Sequence, residues 1–312
     1  MSFHERTTDA AKGKWKGILL SLGLPESVLQ DKHGPCPICQ DGTDRFRWDN
    51  RGGAGSYICT HCGAGDGMKL AELFTGKSFS QVATMIDAMI GNIKPDSQPA
   101  KTEMSDPDRR QILRSVWTET KPVSIGDLAH VYLATRGVAE FIHPKALRYG
   151  VLRDGEGGIR PCMVAIVSDA EGKPSTMHRT FLRPDGKAKA EMDAPRKMMP
   201  GAMPDGGCVR LSEFGGGSIG IAEGIETAMS ASALYSLPVW AALNTAALAK
   251  WQPPDGCEDV AIFSDNDKKF GGQAAAFALA HRLAVKNMPV TVHIPDIAGT
   301  DWNDVLLQRI KT

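Results

Sequence analysis

Two stretches decide how this chain is read: Gly217-Ser-Ile-Gly-Ile-Ala-Glu-Gly224 and Asp259-Val-Ala-Ile-Phe-Ser-Asp-Asn-Asp267. Each is a short apolar run that ends on acids. Such a run, bounded by turn residues, suits a strand buried on both faces. Outward from these two runs, strands and helices alternate. A helix is expected at Glu226–Tyr235, a strand at Pro238–Leu243 and a short helix at Thr245–Trp251. An Ala-rich helix at Gly272–Lys286, a strand at Pro289–Ile294 and a last helix at Trp302–Ile310 complete the pattern. This alternation predicts an α/β fold, a parallel sheet with flanking helices and right-handed crossovers.

Ligands of open parallel sheets bind at the carboxyl ends of the strands. Glu223, Asp265 and Asp267 fall there. Asp265 and Asp267 are two residues apart, so in extended chain they point to the same side. Three converging carboxylates repel one another unless a cation neutralises them, and oxygen donors suit Mg²⁺ or Mn²⁺. Asp301 and Asp304, in Gly299-Thr-Asp-Trp-Asn-Asp304, are further metal candidates. Asp301 fits the N-cap of the last helix equally well.

Upstream of this sheet the texture differs. Pro161–Val167 and Thr176–Leu182 read as strands, and helical patterns run from Asp108 through Trp117 and over Ile125–Thr135. Between Lys173 and Lys197, seven cationic residues stand against three acidic ones. Lys187, Lys189, Arg196 and Lys197 are therefore candidate contacts for a triphosphate or a template backbone. A solvated hairpin has the same composition.

Cys36, Cys39, Cys59 and Cys62 form two CxxC pairs spaced C-x2-C-x19-C-x2-C. Two such knuckles aim four thiolates at one point, which is a tetrahedral structural zinc site. All four positions are sulfur, so this zinc does not activate water. Between the knuckles runs Asp44-Arg-Phe-Arg-Trp-Asp-Asn-Arg51. Arg45 and Arg47 would share one face of a β-ribbon and touch phosphates. Trp48, Phe46 or Tyr57 would either stack on bases or form the ribbon's small core. The Pro-, Ser- and Asp-rich residues 92–107 read as a linker. The expected organisation is a zinc ribbon over 1–91, that linker, a helical and mixed α/β part over 108–215, and the parallel-sheet domain over 216–312.

Composition narrows the class. The 312 residues are 42% hydrophobic and 23% charged, with 36 basic and 36 acidic residues. A globular chain with a sizeable core follows, and a nucleic-acid partner would be held by local patches. No run of about 18 apolar residues is present, so no transmembrane helix is expected. The first residues lack the apolar region of a secretory signal. Seven cysteines in uneven spacing argue against a disulfide framework and for a reducing, cytoplasmic setting. Thr75-Gly76-Lys77-Ser78 imitates the end of a P-loop, but Ala71 stands where the first glycine is required, so an ATPase site is rejected.

Three groups of residues together resemble a known family. His33-Gly-Pro-Cys-Pro-Ile-Cys39, Asp44-Arg-Phe-Arg-Trp48 and Cys59-Thr-His-Cys-Gly-Ala-Gly-Asp-Gly67 resemble the zinc ribbon of phage- and plasmid-type DNA primases. Ile221-Ala-Glu-Gly-Ile-Glu-Thr-Ala228 and Phe263-Ser-Asp-Asn-Asp-Lys268 are similar to the Toprim catalytic domain. Tyr132-Leu-Ala-Thr-Arg-Gly137 and His178-Arg-Thr-Phe-Leu-Arg-Pro-Asp-Gly186 are similar to the segments that precede Toprim in those primases. The resemblance implies a metal-dependent nucleotidyltransferase, a DNA-directed RNA polymerase making short RNA primers on single-stranded DNA from ribonucleoside triphosphates. It implies that Glu223, Asp265 and Asp267 hold the divalent metal and that the ribbon reads the template. It also implies either a separate replicative helicase as partner or service in plasmid or mobile-element replication alone. The alternatives are a Toprim nuclease, which uses water as nucleophile, and a non-catalytic single-stranded-DNA-binding adaptor.

Overall fold

The computed structural model describes residues 6–96, 106–199 and 203–311. The chain forms two compact units, Met1–Met104 and Ser105–Thr312.

In the first unit, helices α1 (Thr7–Ala10) and α2 (Trp15–Ser21) precede a ribbon of three short antiparallel strands. These are β1 (Phe46–Trp48), β2 (Tyr57–Cys59) and β3 (Gly63–Gly65), in spatial order β1-β2-β3. Helices α3 (Gly67–Thr75) and α4 (Phe79–Met89) follow. Asp66 caps α3 by accepting from the Lys69 N–H at 2.8 Å, and Ser78 and Gln81 form a capping box on α4. Trp15, Ile18, Phe46, Trp48, Tyr57 and Leu70 share one core. That core settles the role of the ribbon aromatics. Trp48 is only 4% exposed, and Phe46 stacks on Tyr57 with ring centroids 5.7 Å apart. The expectation that Trp48 stacks on a base is therefore corrected: a unit this small needs its large aromatics inside.

The expected linker also differs at its start. Ile93 packs on the first unit's core. The Asp96 carboxylate accepts from the Lys16 N–H at 3.2 Å, at the start of α2, and from the Asn50 amide at 2.9 Å. An acid at a helix amino end is stabilising, which anchors residues 92–96. Residues 97–105 of the expected linker lie outside the described residues, and a helix resumes at Asp106.

The second unit opens with α5 (Asp106–Glu119), β4 (Lys121–Pro122) and α6 (Leu128–Thr135). Next come β5 (Leu147–Arg153), β6 (Ile159–Ser168), β7 (Pro174–Phe181) and β8 (Arg196–Met198). These strands form an antiparallel sheet in order β4-β5-β6-β7-β8. The α/β part follows: β9 (Gly217–Ala222), α7 (Ile225–Tyr235), β10 (Val239–Ala241), α8 (Thr245–Lys250), β11 (Cys257–Phe263), α9 (Gly271–Ala284), β12 (Val290–His293) and α10 (Trp302–Lys311). Its sheet has the order β10-β9-β11-β12, and every pairing is parallel.

The two central strands are apolar on both faces for a visible reason. Ile219, Ile221, Val260 and Ile262 enter one core with Leu248, Leu279 and Trp251. Ala222, Ala261 and Phe263 enter the other, shared with Tyr132, Met163 and Trp302. Gly220 is required here, because a Cβ would lie 2.7 Å from Val239 and 2.9 Å from Phe263. Among the described residues no helix is long and apolar enough to cross a membrane.

Candidate functional site

The cysteines come together. The donor atoms of Cys36, Cys39, Cys59 and Cys62 all lie within 4.8 Å of one another, and among the described residues no other set of three or more metal-ligating side chains does so. The Cys36 and Cys62 sulfurs are 3.8 Å apart. A tetrahedron with Zn–S bonds of about 2.3 Å has edges of about 3.8 Å, so the spacing fits zinc. Backbone N–H groups aim at the sulfurs: Ile38 at Cys36, and His61 and Cys62 at Cys59, at 3.3–3.4 Å. Hydrogen bonds from the Cys36 and Cys62 thiols, helped by those N–H groups, pull the Cys59 thiol down to about 3. The Cys62 thiol is pushed up by the same crowding. Four neighbouring thiols do not all ionise unless a cation joins them.

The arginines beside this site are engaged within the unit. Arg47 meets Asp31 at 2.5 Å and Arg45 meets Asp41 at 3.2 Å.

In the second unit, a cleft of about 100 Å³ opens at the carboxyl ends of β9 and β11. Glu223, Glu226, Asp265 and Asp301 bring four carboxyl groups to it, and Lys189, Arg196 and Arg136 bring three cations. Burial, with Asp301 and Asp267 nearby, lifts the Asp265 carboxyl to about 7. Burial also raises that of Asp301. Thr227, on α7, donates to Asp265 at 3.3 Å. This is a cleft with unbalanced negative charge among oxygen donors, and it fits a hard divalent cation.

Four expected site residues, Asp267, Asp304, Lys197 and Lys187, stand elsewhere. Asp267 does not line the cleft; its Oδ2 accepts from the Gly272 N–H at 2.8 Å at the start of α9. Asp301 and Asp304 cap α10 reciprocally: Asp301 accepts from the Asp304 N–H at 2.8 Å, and Asp304 from the Asp301 N–H at 3.2 Å. Asp301 also reaches the cleft and Asp304 does not. Lys197 is turned away from Arg196, because neighbours in a strand face opposite sides. It pairs with Glu156 at 2.7 Å and donates to the Asp154 carbonyl at 2.9 Å, so its expected role in the site is corrected. Lys187 is exposed and lies outside the cleft.

Sequence reasoning missed four contributors. Glu226 is an acid on the first turn of α7 that lines the cleft and pairs with Lys189 at 2.9 Å. Burial alone would raise its carboxyl, but Lys189 and the donating Tyr132 hydroxyl outweigh burial and hold it at about 2. Arg136 presents a buried Nε with no hydrogen-bond partner among the described residues. Asn303 fixes that corner by donating to the Arg136 carbonyl at 2.7 Å and to the Ser230 hydroxyl at 2.9 Å. His178, on β7, is buried, and burial together with Arg196 lowers it to about 3, so it is neutral. Glu226, Arg136 and His178 lie inside segments quoted for the family resemblance, and Asn303 lies inside Gly299–Asp304, so position in a motif was the one signal all four carried.

Comparison with known proteins agrees in both units. The family described as zinc-binding domain of primase-helicase matches residues 31–68, and the Toprim domain family matches residues 218–311. A domain of unknown function, DUF7146, matches residues 107–211. Among solved structures, the chain is similar to the primase fragment of the bacteriophage T7 primase-helicase protein. The identity is 16%, with 90% of this chain and 96% of that one covered at a TM-score of 0.43. It is similar also to the zinc-binding and RNA polymerase domains of the Aquifex aeolicus primase, at 16% identity, with 98% and 83% covered and a TM-score of 0.44. With its four cysteines clustered and its acids at the ends of a parallel sheet, the chain joins a primase-type zinc ribbon to a Toprim domain.

Proposed function

We propose that this protein is a DNA primase, a DNA-directed RNA polymerase that lays short RNA primers on single-stranded DNA. One observation carries the reading. Acids and cations share a single cleft at the carboxyl end of a Toprim sheet, in a chain that also bears a primase-type zinc ribbon.

Glu223 and Asp265, with Asp301 beside them, would hold Mg²⁺ or Mn²⁺. Asp267 adds negative charge next to Asp265 while capping α9. A bound divalent cation supplies charge stabilisation at the reacting phosphoryl group and lowers the pKa of the attacking hydroxyl. Lys189, Arg196 and Arg136 bind and orient the triphosphate of an incoming ribonucleotide. Glu226 and Tyr132 hold the Lys189 ammonium in one position. Arg136 offers its unpartnered Nε–H to a phosphate oxygen. Lys187, exposed beside this cleft's cationic strand, contacts template backbone. The zinc ribbon engages the template start site, a separate helicase supplies the single strand, and the setting is cytoplasmic.

The test is incorporation of labelled ribonucleotides on single-stranded DNA with Mg²⁺ or Mn²⁺, wild type beside Asp265→Ala. Wild type is expected to give short, template-dependent products. Removing an outer partner of a metal ligand costs 10–100-fold in activity, so loss of Asp265 itself should cost more than about 100-fold, with zinc content unchanged. Degraded template without products would move the reading to a nuclease. Intact template without products would move it to a DNA-binding adaptor.

A further inference from the structure

A second groove, of about 980 Å³, lies in the Ser105–Thr312 unit and shares no lining residue with the acidic cleft. It is lined in part by residues 252–255, which lead into the amino end of β11. Glu223 and Asp265 follow the carboxyl ends of β9 and β11. The two openings therefore belong to opposite ends of the parallel sheet.

The groove contains two guanidinium groups, each laid on an indole. Arg148 sits over Trp117 at 3.9 Å and Arg210 over Trp240 at 4.6 Å. Neutral oxygens hold them in place. Arg148 donates to the Thr120 hydroxyl at 3.0 Å and to the Trp117 and Thr120 carbonyls. Arg210 donates to the Asp169 carbonyl at 3.4 Å and the Ala170 carbonyl at 2.7 Å. Among the described residues neither has a carboxylate within 4.0 Å. A guanidinium does not discharge, so two fixed positive charges stand without a counter-ion.

Three more polar atoms lack partners in the same groove. Arg210 Nε, Ser212 Oγ and His143 Nδ1 are buried with no hydrogen-bond partner among the described residues. Buried polar atoms in native proteins are nearly all satisfied, so three orphans lining one groove call for a group from outside. Beside them are flat apolar surfaces: Trp117 is 46% exposed, and Phe214 meets Trp240 edge-on at 6.2 Å. Donors with positive charge beside aromatic faces recognise a phosphate joined to a planar ring.

The rim decides between a strand and a single unit. Glu171, Glu213 and Asp255 line the groove. Glu213 is spoken for by Lys145 at 2.7 Å and His143 at 3.4 Å. Glu171 and Asp255 repel the phosphates of a polynucleotide running along the groove, whereas the compact phosphate group of one nucleotide, gathered on the two arginines, avoids them. We propose that this groove binds a single free nucleotide, its phosphate on Arg148 and Arg210 and its base against Trp117 or Phe214. The assignment does not rest on primer synthesis.

Equilibrium dialysis of the full chain with labelled ATP, without added divalent cation, tests it. Photolabelling with 8-azido-ATP and peptide mapping goes alongside. Binding is expected to survive Arg196→Ala in the acidic cleft and to weaken about ten-fold or more in Arg210→Gln, which loses charged hydrogen bonds. Trp117→Ala, at a half-exposed position, serves should Arg210→Gln fail to fold; loss of base stacking there predicts about five-fold or more. The label is expected on peptides holding Trp117 or Phe214. No ATP binding would overturn the proposal. So would binding lost in Arg196→Ala but unchanged in Arg210→Gln and Trp117→Ala. Displacement of ATP by a twelve-residue oligothymidylate far below the concentration at which unlabelled ATP competes would overturn it in favour of a strand.

Discussion

The cysteine site and the acidic cleft both gather metal-type ligands, yet they are built in opposite ways. Four sulfurs lie within 4.8 Å of one another, whereas no three acids among the described residues reach that spacing. Neutral thiols can share hydrogen bonds while they wait for a cation, as Cys36 and Cys62 do at 3.8 Å. Carboxylates that close would repel. The acids accordingly stand apart at strand ends, and their neighbours take up loose charge: Lys189 for Glu226, the start of α9 for Asp267, the start of α10 for Asp301. A ligand set closed by four sulfurs serves structure. A looser set with cations facing it leaves room for a substrate.

Four measurements would break or sharpen this contrast. The largest effect is expected at the closed site. Cys59→Ser should lose zinc and with it most of the first unit's stability, since structural zinc contributes about 10–16 kcal/mol in zinc-finger peptides. Metal analysis with circular dichroism reads this, and a full equivalent of zinc in the variant would refute the four-sulfur assignment.

Next in size is the pH response of the neutral histidine buried on β7. His178 is held at about 3, below its ordinary 6.5, so the unfolded chain binds the proton first. Its contribution is complete above pH 6.5 and falls as pH drops toward 3, by at most about 5 kcal/mol. Denaturation of wild type and His178→Gln across that range should show the slope in wild type alone; parallel curves would remove His178 as its source.

Glu226→Gln comes third. Breaking this half-buried pair leaves the Lys189 ammonium unpaired but partly solvated, which costs up to about 3 kcal/mol. Adding Lys189→Met should restore part of that loss in chemical denaturation, and no restoration would show that the pair is not coupled. Arg47→Ala is expected to be smallest, about 1 kcal/mol or less, because its partner Asp31 and the arginine are both partly solvated. A larger loss of thermal stability would place Arg47 in the unit's framework.

How much was readable beforehand follows from locality. The strand ends at Glu223 and Asp265 were legible because an apolar run stopping on an acid is a local pattern. The two CxxC knuckles were legible for the same reason. Trp48 was ambiguous, since an alternating Arg-Phe-Arg-Trp ribbon does not say which face is covered; packing against α2 and α3 decided it. Lys197 was misread because the charge count treated a hairpin as one surface, while the pleat sends Arg196 and Lys197 to opposite faces. Arg136 and Glu226 lie 90 residues apart in sequence and meet only through Tyr132 and the cleft.

The amino-acid sequence by itself determined the order of elements, the four-sulfur site and the placement of acids after β9 and β11. These depend on residue type and short spacing, which chain geometry converts directly into position. Only the tertiary structure decided which acids face the cleft, which ones cap helices, and that a second groove holds two arginines with no carboxylate partner among the described residues. Those outcomes depend on contacts between segments far apart in the chain, where burial, strand pleat and competing hydrogen bonds set the side chain's partner.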